Sequence, residues 1–240
     1  MSVSGILSGA WNLYTRFFVQ LVLVAVPVFL VLGLLDAIVS SLGDDDFGLG
    51  VVLWGLISLV ISIVGYFWVQ GALVEAVADV RDGRADLSVG EIYQRVQPRL
   101  PALIAAGIVA GIGILIGFIL LVIPGLFLLT RWSLISPSVV LEKRSAGESL
   151  SRSWELVKGH SWTVFGVIVV TAILSGLASA VIQALFIFLP DFLGTWIGGL
   201  VANSIVAPFI ALAWTLMYFA LARPEPEAEA AAPEEPTPVA

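Results

Sequence analysis

Long apolar runs separated by short polar links set the rhythm of this chain. The first covers about 17–36 and is closed by Asp36 and the polar stretch ending in Asp44-Asp45-Asp46; the second, about 51–74, is closed by Glu75 and Asp79. A third, glycine-rich, covers about 102–123 and meets Pro124-Gly125, beyond which 125–141 is apolar again apart from Arg131 and scattered serines. Runs at about 162–189 and 192–222 are separated by Pro190-Asp191. A membrane-crossing helix needs roughly 20 apolar residues, so the pattern predicts an all-α, polytopic integral membrane protein with six transmembrane helices over residues 1–222. The run at 125–141 is at the short limit and should be buried in protein or thin the bilayer locally. Residues 223–240 hold five Pro, five Glu and five Ala, which can bury nothing and read as a disordered acidic tail.

Composition agrees with this reading and charge orients it. The 240 residues are 59% hydrophobic and 12% charged, with a mean hydropathy of +1.04, a profile outside the range of soluble domains. Pro124-Gly125 is either a kink or an outer turn, and the basic residues choose between them. With a turn there, Arg16, Arg81, Arg84, Arg95, Arg99, Lys143, Arg144, Arg152, Lys158 and Arg223 fall on one side, leaving only Arg131 of the 11. With one kinked helix, the four charges at 143–158 face away from the four at 81–99. The positive-inside rule therefore predicts a plasma-membrane protein with both termini cytoplasmic. The first 15 residues lack a basic n-region, so no cleavable signal is expected.

The segments leading into alternate spans resemble one another. Leu7-Ser8-Gly9-Ala10-Trp11-Asn12-Leu13 shares Leu-Ser, Trp and Leu with Leu150-Ser151-Arg152-Ser153-Trp154-Glu155-Leu156, and a third candidate around Leu87-Ser88 matches less well. Apolar residues recur at helical spacing in each: Ile6, Ala10, Leu13 and Phe17; Val89, Ile92, Val96 and Leu100; Leu150, Trp154 and Val157. The inferred unit is a cytoplasmic amphipathic helix followed by a transmembrane hairpin, used three times. Chance resemblance between short link helices is the alternative.

Candidate chemistry is sparse. Cysteine is absent and His160 is the sole histidine, which leaves out disulfides, iron–sulfur clusters, c-type haem and a histidine-rich metal centre; no metal or cofactor is expected. The net charge of -7 argues against nucleic acid. Arg131 is the one basic residue inside a span and costs several kcal/mol unless it snorkels or finds a partner. With the turn at Pro124-Gly125 it lies about 9 Å below the outer boundary, so it either pairs with Asp36 or touches a headgroup. Asn203 and Gln183 add intramembrane amides, and Pro27, Pro137 and Pro208 interrupt three spans; such features line solute paths or serve kinks and packing. Gly107, Gly111, Gly113 and Gly117, with Gly194 and Gly198, have the spacing of close helix contacts. Glu142, Lys143, Arg144, Arg152, Lys158 and His160 form a mixed-charge rim, suited to anionic lipid headgroups or simply to topology. No convergent set of titratable groups is visible, so an enzyme is not expected.

The stretch Leu120–Leu134 (LLVIPGLFLLTRWSL), then Pro137-Ser138-Val139-Val140-Leu141-Glu142, then Ser149–His160 (SLSRSWELVKGH), then Phe165-Gly166, resembles the membrane-domain family of glycerophosphoryl diester phosphodiesterases and related stand-alone multi-pass proteins. The resemblance covers roughly 85–170 and implies a six-helix membrane domain with Pro124, Gly125, Arg131, Trp132, Pro137, Glu142, Trp154 and His160 as family-motif positions. It does not carry phosphodiesterase activity, which belongs to a separate soluble domain for which this chain has neither length nor residues. The expected function is a non-catalytic integral membrane protein that organises the bilayer, interacts with lipid or serves as an accessory subunit. The alternative is a small transporter or channel for an amphiphilic or lipid-like solute. Expected partners are the lipid bilayer, anionic lipid headgroups, and a second copy (homo-oligomer) or a membrane partner protein.

Overall fold

The structure, a computed structural model, describes residues 2–41 and 48–222; the Asp44-Asp45-Asp46 loop and the acidic tail at 223–240 lie outside the described residues. All regular structure among the described residues is helical: α1 Val3–Arg16, α2 Phe18–Ser41, α3 Leu49–Val80, α4 Val89–Val96, a 3-10 turn Gln97–Arg99, α5 Leu100–Leu120, α6 Val122–Arg131, α7 Ile135–Leu141, α8 Ala146–Val157, α9 Ser161–Ala184 and α10 Asp191–Ala222. Six helical stretches are long and apolar enough to cross a membrane: 18–39, 49–80, 89–120, 122–141, 161–184 and 191–222. This is a multi-pass membrane protein.

Local chemistry explains several boundaries. The sequences Ser88-x-x-Glu91 and Ser145-x-x-Glu148 are capping boxes that start α4 and α8, each pairing two helix-start donors that would otherwise lack acceptors. The turn expected at Pro124-Gly125 lies earlier. Leu121 alone is extended (φ -164, ψ 153), and Pro124 sits in the first turn of α6, where a missing N–H costs nothing. Gly125 is needed for contact, because a Cβ there would stand 2.5 Å from the Phe118 ring, and one at Gly117 would stand 3.0 Å from the Gly125 Cα. The fourth span, expected as one helix over 125–141, is two helices broken at Trp132–Leu134.

The first and last spans close the bundle, with the most extensive contact between elements running from α2 to α10. α10 also packs on α1, α3 and α9, α2 on α3, and α5 on α6. The core carries Leu21, Leu73, Val77, Leu134, Leu212 and Met217, all at most 1% exposed. The outer surface is apolar as well: Ile119 to Ile123 are 63–79% exposed without one polar side chain. In water such a patch would drive association; against acyl chains it is at home.

The buried faces of the short helices are partly those expected. In α1 they are Ile6, Ala10 and Tyr14, and in α4 Ile92 and Val96. In α8 the expected stripe of Leu150, Trp154 and Val157 is shifted: Trp154 is 37% exposed, and Ser149, Ser153, Leu156 and Val157 are buried. The break in the fourth span is the reason. Ser153 Oγ donates to the Arg131 carbonyl at 2.7 Å and accepts from the Leu134 N–H at 3.1 Å, so α8 turns its serines inward to satisfy backbone groups that the break has freed.

Candidate functional site

Several polar residues of the spans line a two-lobed cleft. One lobe, of about 580 Å³, lies between α2, α3 and α10 and is lined by Asp36, Ser62, Tyr66, Gln70, Thr195 and Asn203 among apolar neighbours. The other, of about 510 Å³, lies among α3, α5, α7, α9 and α10, with Trp132, Ser133, Ser136, Thr171, Trp214 and Thr215 in its wall. Tyr66, Phe67, Gln70 and Ile210 line both, so α3, with Ile210 of α10, supplies the partition. Gln70 Nε2 donates to Tyr66 Oη at 3.0 Å. In the second lobe Trp214 Nε1 donates to Thr171 Oγ1 at 3.3 Å, which itself donates to Val167 O at 2.7 Å. Thr215 Oγ1 is fully buried with no hydrogen-bond partner, a cost of about 1–3 kcal/mol unless something in the cleft meets it. Most helix positions here are central: Gln70, Thr171 and Asn203 all lie well inside α3, α9 and α10.

The residues singled out from sequence divide accordingly. Asp36 and Asn203 share the first lobe, with Asn203 Nδ2 spending one bond on the Gly199 carbonyl at 2.9 Å. Gln183 is exposed near the end of α9 and takes no part in the cleft. The pair expected between Arg131 and Asp36 is not among the ion pairs of the described residues. Arg131 instead lies 5.2 Å from the Phe127 ring and 5.0 Å from the Trp154 ring, and its Nη1 donates to the Trp154 carbonyl at 3.2 Å. The helix fold-back explains this: α8 returns along α7 and brings Trp154 to the break, whereas Asp36 belongs to the α2–α3–α10 side. Trp132, also at the break, packs its indole where a Cβ on Gly113 would stand 2.5 Å away. Pro137 is buried within α7, and His160 is half-buried just before α9.

Glu142 is more than a rim charge. Its carboxylate accepts from Tyr218 Oη on α10 at 2.5 Å, from Arg152 Nε on α8 at 2.9 Å, and from Arg144. The side chain is 19% exposed. Burial raises its pKa, but the hydrogen bonds from Tyr218, Arg144 and Arg152 outweigh burial and hold the carboxyl below the usual carboxylate range. The result is a clamp joining the end of α7 to α8 and α10.

A family model described as "Domain of unknown function (DUF7847)" matches residues 49–223. The chain belongs to this family. No curated protein and no solved structure matches it. The DUF7847 match begins with α3 and runs through α10. It therefore contains the whole second lobe and the Glu142 clamp, while the first lobe draws Phe29, Leu32, Gly33 and Asp36 from α2, outside the match. Among the polar residues of this DUF7847 protein that the sequence does not single out are Tyr66, Gln70, Thr171 and Ser153. Gln70 and Thr171 are single polar residues in apolar runs, and Ser153 stands four residues after Ser149. That spacing marks one helix face, but only the break in the fourth span makes the face polar.

Proposed function

We propose that this is a non-catalytic membrane protein that binds an amphiphilic, lipid-like molecule in the two-lobed cleft and moves it across the bilayer. The observation that carries the reading is the partition: two cavities at central helix positions meet at Tyr66 and Gln70, with amides and hydroxyls set in otherwise apolar walls. Such walls suit a molecule with a polar head and an apolar body. A non-catalytic role is favoured because the cleft lining has Asp36 as its one carboxylate and no histidine. The proposal keeps both termini cytoplasmic, in the plasma membrane, with three hairpins each led by an amphipathic helix; the pairings of α2 with α3, α5 with α6 and α9 with α10 support it. It also keeps the kinship with phosphodiesterase membrane domains as an inference from the 120–166 motifs.

Reconstitution into liposomes with a lipid-scrambling readout tests the reading. Wild type should move labelled lipid faster than empty vesicles, and Gln70→Leu or Asn203→Leu, which fill and dry the lobes, should return it to background. Reconstituted, folded wild type with no activity above empty vesicles overturns it. A second reading, a membrane-organising or accessory protein, is favoured by the glycine contacts. A Cβ at Gly107 would meet the Phe67 ring at 2.1 Å, which is the packing of a rigid bundle.

A further inference from the structure

Arg131 lies outside the cleft. Its guanidinium lies beside the edge-to-face pair of Phe127 and Trp154, 5.2 and 5.0 Å from the two rings; Nη1 is used by the Trp154 carbonyl, and Nε is buried with no partner. No carboxylate among the described residues forms an ion pair with it. Nε is closed off by its neighbours, which leaves Nη2, with no hydrogen bond among the described residues, as the donor an anion would complete. An arginine in apolar surroundings with a donor left over is costly, and the guanidinium edge is shaped for phosphate oxygens.

The surface beside it supplies the rest of such a ligand's shape. Ile123, Phe127 and Arg131 follow at four-residue spacing, so they form one stripe of α6, two apolar residues ending in a cation. Ile123, Leu126, Phe127 and Thr130 face Trp162 and Phe165 of α9 across a groove of about 480 Å³. Phe127 therefore belongs to both the groove and the cation's ring pair. Trp162, on the opposite lip, is 85% exposed, as an indole at a membrane interface is. The exposed Lys158 precedes it in the α8–α9 link and adds a second positive charge at that end.

We infer that the α6–α9 groove seats an anionic phospholipid, with its phosphodiester on Arg131 and one acyl chain along Phe127 and Ile123. An isolated phosphate would use the cation alone. Only a lipid uses the stripe, because the same aromatic ring borders both halves. The inference stands whether or not the cleft moves anything.

Native mass spectrometry of the detergent-solubilised protein tests it, with phosphatidylglycerol, phosphatidylcholine and inorganic phosphate as probes. Phosphatidylglycerol should be retained in preference to phosphatidylcholine, and inorganic phosphate should not displace it. Arg131→Gln should weaken phosphatidylglycerol binding about tenfold, the loss of one charge-assisted hydrogen bond. Trp162→Ala, at a position too exposed to affect folding, should weaken it less while leaving thermal unfolding unchanged. Equal retention by wild type and folded Arg131→Gln overturns the proposal, as does displacement by inorganic phosphate. If Arg131→Gln does not fold, unchanged phosphatidylglycerol binding by Trp162→Ala overturns it.

Discussion

From residue 3 to 17 in and just after α1, and from 146 to 160 in and just after α8, the chain shows one pattern of burial twice. With Trp11 set against Trp154, each position matches its counterpart, except that Leu13 is half-buried where Leu156 is buried. Ile6, Ala10 and Tyr14 fall on Ser149, Ser153 and Val157, and both tryptophans face outward. Both copies also reach the same part of α10: Gly9 faces Leu216 at 3.6 Å from its absent Cβ, while Arg152, at the equivalent place, holds the Glu142 that accepts from Tyr218. What differs is the partner. α1 meets unbroken helices and buries mainly apolar atoms, its one buried hydroxyl being Tyr14 Oη, which donates to the Ile205 carbonyl of α10 at 2.8 Å; α8 meets a broken helix and buries Ser149 and Ser153 beside Leu156 and Val157. A repeated surface pattern thus sets where a helix docks, and the backbone it docks on sets which atoms it needs there.

The sharpest way to break the comparison is Ser153→Ala. This removes the partner of the Leu134 N–H and the Arg131 carbonyl together, so thermal unfolding in detergent should show a loss of about 2–3 kcal/mol. An unchanged midpoint would mean that the break is satisfied by other means.

The second test uses acid. Glu142 has its pKa lowered in the folded state, because three hydrogen bonds outweigh burial. Its contribution is therefore fully present above the unfolded value of about 4.3 and is lost as pH falls through the folded value. Wild type should lose stability on acidification through that window, and Glu142→Gln, already weaker at neutral pH, should show a smaller drop. α1 has no such clamp, so parallel pH profiles for the two proteins would remove the distinction drawn between the copies.

The smallest effect is expected from Ala10→Ser, which writes the α8 residue into α1. Its hydroxyl meets no broken backbone and can only bond back to the preceding turn, at a cost of a few tenths of a kcal/mol. A loss as large as that of Ser153→Ala would show that polarity, rather than the partner, decides both sites.

Much of this architecture was legible in the order of residues, for identifiable reasons. Six apolar runs of near-membrane length can only be helices in hydrocarbon, and Leu-Ser with Trp at matching offsets falls where α1 and α8 share a burial pattern. The site was less legible. Asp36 and Asn203 were noticed because charged or amide groups are conspicuous in a span, and they do share a lobe. Gln70 and Thr171 were not, because one polar residue in an apolar run has no direction until its neighbours are known. For Arg131 the sequence leaves Asp36 and a headgroup both open, and the contacts it makes with Phe127 and Trp154 depend on α8 folding back to the break.

Apolar length and periodicity were therefore sufficient for the class and the count of membrane-length segments. These follow from interactions with solvent, which each residue makes on its own. The break at Trp132–Leu134, the inward serines of α8, the Glu142 clamp and the partition at Tyr66 and Gln70 required the packed chain. Each is a meeting of groups distant in sequence, and its energy exists only once another helix has brought the second group within reach.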